Sequence, residues 1–158
     1  MPNPYTPPAA PVDDREKHGR RRPVLIAGLI GGVVDYCGTF AFGVATSIAV
    51  ALVAASFGAG TSDVGALFRS GHWQAFNLAA GAAFTALGGY VAARIANHRE
   101  LMSALVVGVL AIVSGEVTIA MSEDYELWMR IAGDLIAIPV ALMGGWRRRV
   151  ERTKPAAA

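Results

Sequence analysis

Polar and apolar positions divide the chain into long blocks. A polar, proline-rich segment is followed by apolar runs at Val24 to Phe57, Trp73 to Ile95, Leu101 to Met121 and Leu127 to Trp146. A helix of about 20 apolar residues crosses the hydrocarbon core of a bilayer, and the last three runs fit that length. The pattern predicts an all-α integral membrane protein, an antiparallel four-helix bundle running up-down-up-down. The first run is too long for a simple crossing. As one helix it would extend ~50 Å, so it must tilt, break near Gly38 or Gly43, or project from the bilayer. Pro139 removes a backbone hydrogen bond to Leu135 and should kink the fourth helix. Between the first two runs, Thr61-Ser62-Asp63 offers a helix N-cap and Val64, Leu67 and Phe68 have helical spacing. A short interfacial or re-entrant helix ending at Gly71 is expected there, with an ordinary polar loop as the alternative.

Composition agrees with this division. Of 158 residues, 54% are hydrophobic and 16% charged, with a mean hydropathy of +0.43; soluble domains carry about 25% charged residues. Residues 1–23 read as a disordered basic tail and residues 147–158 as a second basic tail. A cleaved signal peptide is the competing reading of the N-terminus, with Ala49-Val50-Ala51 resembling a cleavage site. The apolar run there far exceeds the ~7–15 residues of a signal core, so a retained helix is expected. Cys37 is the single cysteine, which excludes an intrachain disulfide; mid-helix, it reads as a small packing residue.

Charge placement gives a direction. Arg15, Lys17, Arg20, Arg21, Arg22, Arg94, Arg99, Arg147, Arg148, Arg149, Arg152 and Lys154 fall on one side of a four-span topology, which is 12 of the 14 Lys and Arg, leaving Arg69 and Arg130 toward the other. Basic loops stay cytoplasmic, so both termini are expected inside. Trp73, Tyr125 and Trp128 mark the outer interface, Tyr90 and Trp146 the inner one. The basic tails also suit anionic lipid headgroups, at ~1 kcal/mol per basic residue. No nucleic-acid partner is expected, because no folded soluble module is attached.

In lipid, helices associate through close contact at small residues. Such stripes occur on all four helices: Gly28, Gly32, Asp35, Thr39 and Thr46 on the first; Asn77, Gly81, Thr85, Gly88, Gly89 and Ala92 on the second; Gly108, Ile112, Gly115 and Glu116 on the third; Arg130, Asp134, Ala137, Ala141 and Gly145 on the fourth. One packed interior could then hold every polar residue. Depth counting puts Glu116 and Asp134 ~8–10 Å below the outer boundary and Asp35 ~17 Å in from the inner one. Arg130 and Asp134, at i and i+4, share a face and can pair. The expected intramembrane cluster is Asp35, Asn77, Glu116, Arg130 and Asp134, under an outer mouth made acidic by Glu123, Asp124 and Glu126.

Three carboxylates and one guanidinium do not balance. The unpaired acids must be protonated, bind a cation, meet water, or pair with a basic group on another subunit. The first three outcomes describe a small transporter or channel component handling protons or cations. The last describes an accessory or assembly subunit, homo-oligomeric or bound to a membrane partner. A third reading makes the charges structural, fixing helix register. An enzyme is not expected: His18, His72 and His98 lie outside the apolar interiors, no hydrolase, metalloprotease, P-loop or dinucleotide motif occurs, and no cofactor or metal is called for.

Residues Gly88 to Glu100, GGYVAARIANHRE, resemble a feature of small uncharacterised bacterial four-helix membrane proteins. There a Gly-Gly-aromatic step and an Ala-Arg pair, matched here by Gly88, Gly89, Tyr90, Ala93 and Arg94, close the second span before a cytoplasmic turn. The resemblance implies a bacterial inner-membrane protein and carries no catalytic residue.

Overall fold

The computed structural model describes residues 23–120 and 127–153. The two tails proper and the acidic turn, including Lys154, Met121, Glu123, Asp124, Tyr125 and Glu126, lie outside the described residues. Five helices follow one another: α1 (Val24–Ser56), α2 (Thr61–Arg69), α3 (Gly71–Ala96), α4 (Glu100–Ala120) and α5 (Leu127–Thr153). No strand occurs among the described residues. All but α2 are long and apolar enough to cross a membrane.

The polar breaks end the helices in identifiable ways. Gly58, with φ of 76°, takes the chain out of α1 through a conformation that a side chain would strain. The Asp63 carboxylate accepts from the Gly60 amide at 3.0 Å, so the expected capping signal operates one residue earlier than Thr61. Ser70 closes α2 and caps α3, its Oγ accepting from the Trp73 amide at 3.3 Å. Asn97, at φ 52°, terminates α3 and leads into a tight turn before α4. Leu67 of α2 faces Ala49, Val50, Val53 and Ala54 across an apolar groove. Phe68, Trp73, Phe76, Phe42 and Phe84 form a chain of ring contacts, with centroids 5.0 to 5.9 Å apart, that ties α2 and α3 to α1.

One alternative closes and one boundary moves. α1 is a single unbroken helix of 33 residues, which removes the break near Gly38 or Gly43 and leaves tilt or projection. Those glycines cost only modest helix propensity and neither is followed by a proline. α5 continues beyond Trp146 to Thr153 and also runs through Pro139, so the first part of the predicted basic tail is helical. Ion pairs from Arg147 and Arg148 to Glu151 support that extension.

The four long helices pack around a central pair, with each flanking helix touching both members of it. α3 and α4 lie together in the middle, α1 on one flank and α5 on the other; no Cα of α1 comes within 8 Å of one in α5. Small residues set the crossings. Gly31 meets Gly88, Ala92 and Val107, while Gly89 meets Ala141, Gly108 meets Ile138 and Ala141, and Gly145 meets Ala104. Gly28 contacts Val106 and Gly32 contacts Leu110. Ala27, Ala92, Ala93, Ala104, Val107 and Ala141 are the buried apolar centre. Of the expected packing residues, Gly81 touches only Thr39, Ala137 is half-buried, and Gly115 has open space around it. Cys37 is exposed on the outer flank of α1 rather than packed.

Candidate functional site

The five expected polar residues separate into different places, because α1 and α5 occupy opposite flanks. Asp35 lies in the seam between α1 and α3, and it is the deepest of the five. The small residues of that crossing bring α3 close enough to cover it: the Asp35 Cβ stands beside Gly88, and the residue is only 6% exposed. Its Oδ1 accepts from Thr85 Oγ1 at 3.1 Å and from Thr39 Oγ1 at 3.4 Å. Thr85 also reaches back to the Gly81 carbonyl oxygen, at 3.0 Å. Oδ2 makes no hydrogen bond to a described residue, and no basic side chain among them pairs with this carboxylate.

Glu116, Arg130 and Asp134 lie together on the α4–α5 seam. Arg130 holds Glu116 in a two-pronged contact, with Nε 2.7 Å from Oε1 and Nη2 on Oε2. The partner of Arg130 is thus the carboxylate across the hairpin rather than Asp134 one turn along its own helix. A guanidinium fork matches a carboxylate approaching end-on, which α4 supplies and an i+4 neighbour does not. Asp134 lies within electrostatic reach of both groups. This group is half-exposed on the flank of the bundle, with side-chain exposures of 49% for Arg130 and 31% for Glu116.

The levels differ as well. Gly31, Gly88 and Val107 share one layer. Asp35 is one turn from it, about 6 Å, whereas Glu116 is nine residues beyond Val107, about 13 Å. No hydrogen bond or ion pair between described residues joins the two groups. Asn77 is about 12 Å along α3 from Thr85, and its amide donates to the Trp73 carbonyl of its own helix at 3.0 Å.

A polar group that the sequence reading missed closes the basic end. Glu100, in the first turn of α4, is buried, with 8% of its side chain exposed, and its Oε1 stands 2.7 Å from Nη1 of Arg152. That same nitrogen donates to the Asn97 carbonyl at 2.6 Å. Tyr90 donates to Glu151 at 2.9 Å. These contacts clamp the α5 extension onto the α3–α4 turn. Tyr90 stood in the sequence as an interface marker and Glu100 only as the end of the resembling segment; the helical continuation of α5 brings their partners to them.

Comparisons of the chain with protein-family models, with curated proteins and with solved structures gave no match. Its function therefore has to be argued from these side chains.

Proposed function

We propose that the chain is a multi-pass membrane protein of the bacterial inner membrane that handles protons or cations at Asp35, as a small transporter or channel component. In this reading α1, α3, α4 and α5 span the bilayer, and the basic end faces the cytoplasm with both termini. Anionic headgroups gather around its arginines, and the protein works as a homo-oligomer or beside a membrane partner.

The observation that carries the reading is a buried carboxylate met by two hydroxyls and no cation-bearing side chain among the described residues. An acid that only fixed helix register would be matched more economically by a base, as Glu116 is matched by Arg130. Leaving Asp35 without one keeps it able to gain and lose a positive partner. Glu116 and Arg130 then serve as a brace between α4 and α5, with Asp134 beside them on that flank.

The test is flux in liposomes containing the purified protein and a trapped pH or cation indicator. Asp35→Asn should reduce flux by at least about tenfold, the loss of one essential ionisable group, while Glu116→Gln retains the larger part of it. Equal flux from the wild-type protein and Asp35→Asn would remove the reading.

A further inference from the structure

Thr85 carries one hydroxyl proton but stands within hydrogen-bonding distance of two acceptors, Asp35 Oδ1 at 3.1 Å and the Gly81 carbonyl at 3.0 Å. It can satisfy only one of them at a time. We infer that Thr85 is a hydroxyl switch that lets Asp35 hold or release a proton without leaving a buried polar atom unpaired, so that the species handled at this site is the proton and not a metal cation.

The two states balance atom by atom. With Asp35 ionised, the Thr85 O–H points to Oδ1 and supplies the bond a buried carboxylate needs. When a proton arrives on the carboxyl group, the Thr85 O–H turns to the Gly81 carbonyl, and the freed lone pair on Oγ1 accepts the new Asp35 O–H. One O–H bond forms on Asp35 as one breaks on the hydronium that delivers the proton and becomes water; none breaks on Thr85, and no group is oxidised or reduced. Release of the proton reverses the rotation. Both states leave Thr85 and Asp35 bonded, which matters because an unmet buried polar group is costly. The proton therefore ends on Oδ1, the oxygen that Thr85 Oγ1 faces at 3.1 Å.

The surroundings favour a proton in a second way. The groups packed against Asp35 are Thr39 of its own helix and Thr85 and Gly88 of α3, with Val107 of α4 against Gly88. No charged side chain from α1, α3 or α4 faces it among the described residues. Hard cations such as calcium gather about six or more oxygens, whereas one carboxylate and two hydroxyls make a much poorer set. Nor do three His, Cys, Asp or Glu side chains cluster as metal ligands among the described residues.

This inference rests on the proton-or-cation reading of Asp35, and its test separates the two. The full-length protein, labelled with 13C-aspartate, is followed by infrared spectroscopy of its carboxyl bands through a pH titration, with Asp35→Asn identifying the Asp35 band. In parallel, liposomes report proton, sodium and potassium flux. Thr85→Ser, which keeps the hydroxyl, should retain the wild-type band position and proton flux. Thr85→Val, of nearly the same shape, should move the protonated Asp35 band and lower proton flux roughly tenfold, the scale of one hydrogen bond to a charged group. Sodium or potassium should not move in any of them. An unchanged band in Thr85→Val overturns the switch, and so does sodium or potassium flux that depends on Asp35. A shifted band with no proton flux even in the wild-type protein leaves the switch standing and sinks the transport reading.

Discussion

Gly144 and Gly115 look alike in the sequence, as glycines in apolar helices, but their surroundings are opposite. At Gly144 an added Cβ would come to 2.9 Å from both the Ala86 carbonyl carbon and the Tyr90 nitrogen, atoms of the α3 backbone that cannot turn aside. At Gly115 it would meet nothing within 4 Å. Gly144→Val should therefore destabilise the protein by about 1–3 kcal/mol, the usual range for overpacking a close contact. Gly115→Ala should stay within about 0.5 kcal/mol of wild type, as for open positions. Thermal unfolding in detergent would distinguish them, and equal effects would mean that α3 and α5 do not cross there. Spacing in the sequence identified Gly28, Gly32, Gly88, Gly89, Gly108, Ala141 and Gly145 as contact residues but passed over Gly31 and Gly144. A stripe of small residues defines a face only to within about one residue each way, and in so glycine-rich a chain that is the difference between contact and open lipid. The hydroxyls had the same fate. Thr39 and Thr85 stood on the predicted faces, yet their convergence on one oxygen of Asp35 depends on the angle at which α1 crosses α3, which no spacing encodes.

At the scale of elements, the positions of the apolar helices followed directly from run length, because a backbone without water must bond to itself. Their ends did not. α5 outlasts its apolar run because Arg147, Arg148 and Glu151 pair along its surface and Arg152 reaches the α3–α4 turn. Such polar residues look like a tail until the partner turn is in place. The clamp makes an unequal prediction for its two halves. Arg152→Ala leaves the buried Glu100 carboxylate without its cation and should cost about 1–3 kcal/mol, the range for a stranded buried group. The double variant Glu100→Gln, Arg152→Ala removes the stranded charge and should recover part of that loss. Hydrogen exchange over residues 147–153 reads the consequence locally, rising in Arg152→Ala if the contact holds the extension. Unchanged exchange would show that the extension is held by its own i,i+3 and i,i+4 pairs instead.

For the whole molecule, the separation of α1 from α5 is what divides the acidic residues. A sequence can show that Asp35, Glu116 and Asp134 all lie on small-residue faces, but a four-helix chain has two ways to use such faces. A ring would pool them about one axis. The arrangement around the α3–α4 pair gives each flank a seam of its own, one lined by Asp35 and its threonines and one by the Glu116–Arg130 brace. If the four long helices cross a bilayer as proposed, the direction in which they do so is open to a direct measurement. With Cys37 replaced by alanine, Ser62→Cys samples α2 at the far end and His98→Cys the α3–α4 turn at the basic end; both native residues are exposed. A membrane-impermeant maleimide added to intact cells should label position 62, and should reach position 98 only after the membrane is opened. The expectation follows from Arg94, Arg99, Arg147, Arg148, Arg149 and Arg152 all gathering at one end of the helices, where translocation of each would be disfavoured. The reverse pattern would place the basic end outside, and protons from outside would then reach Asp35, about eleven residues from the start of α1, through the basic end rather than from the far end of the α1–α3 seam.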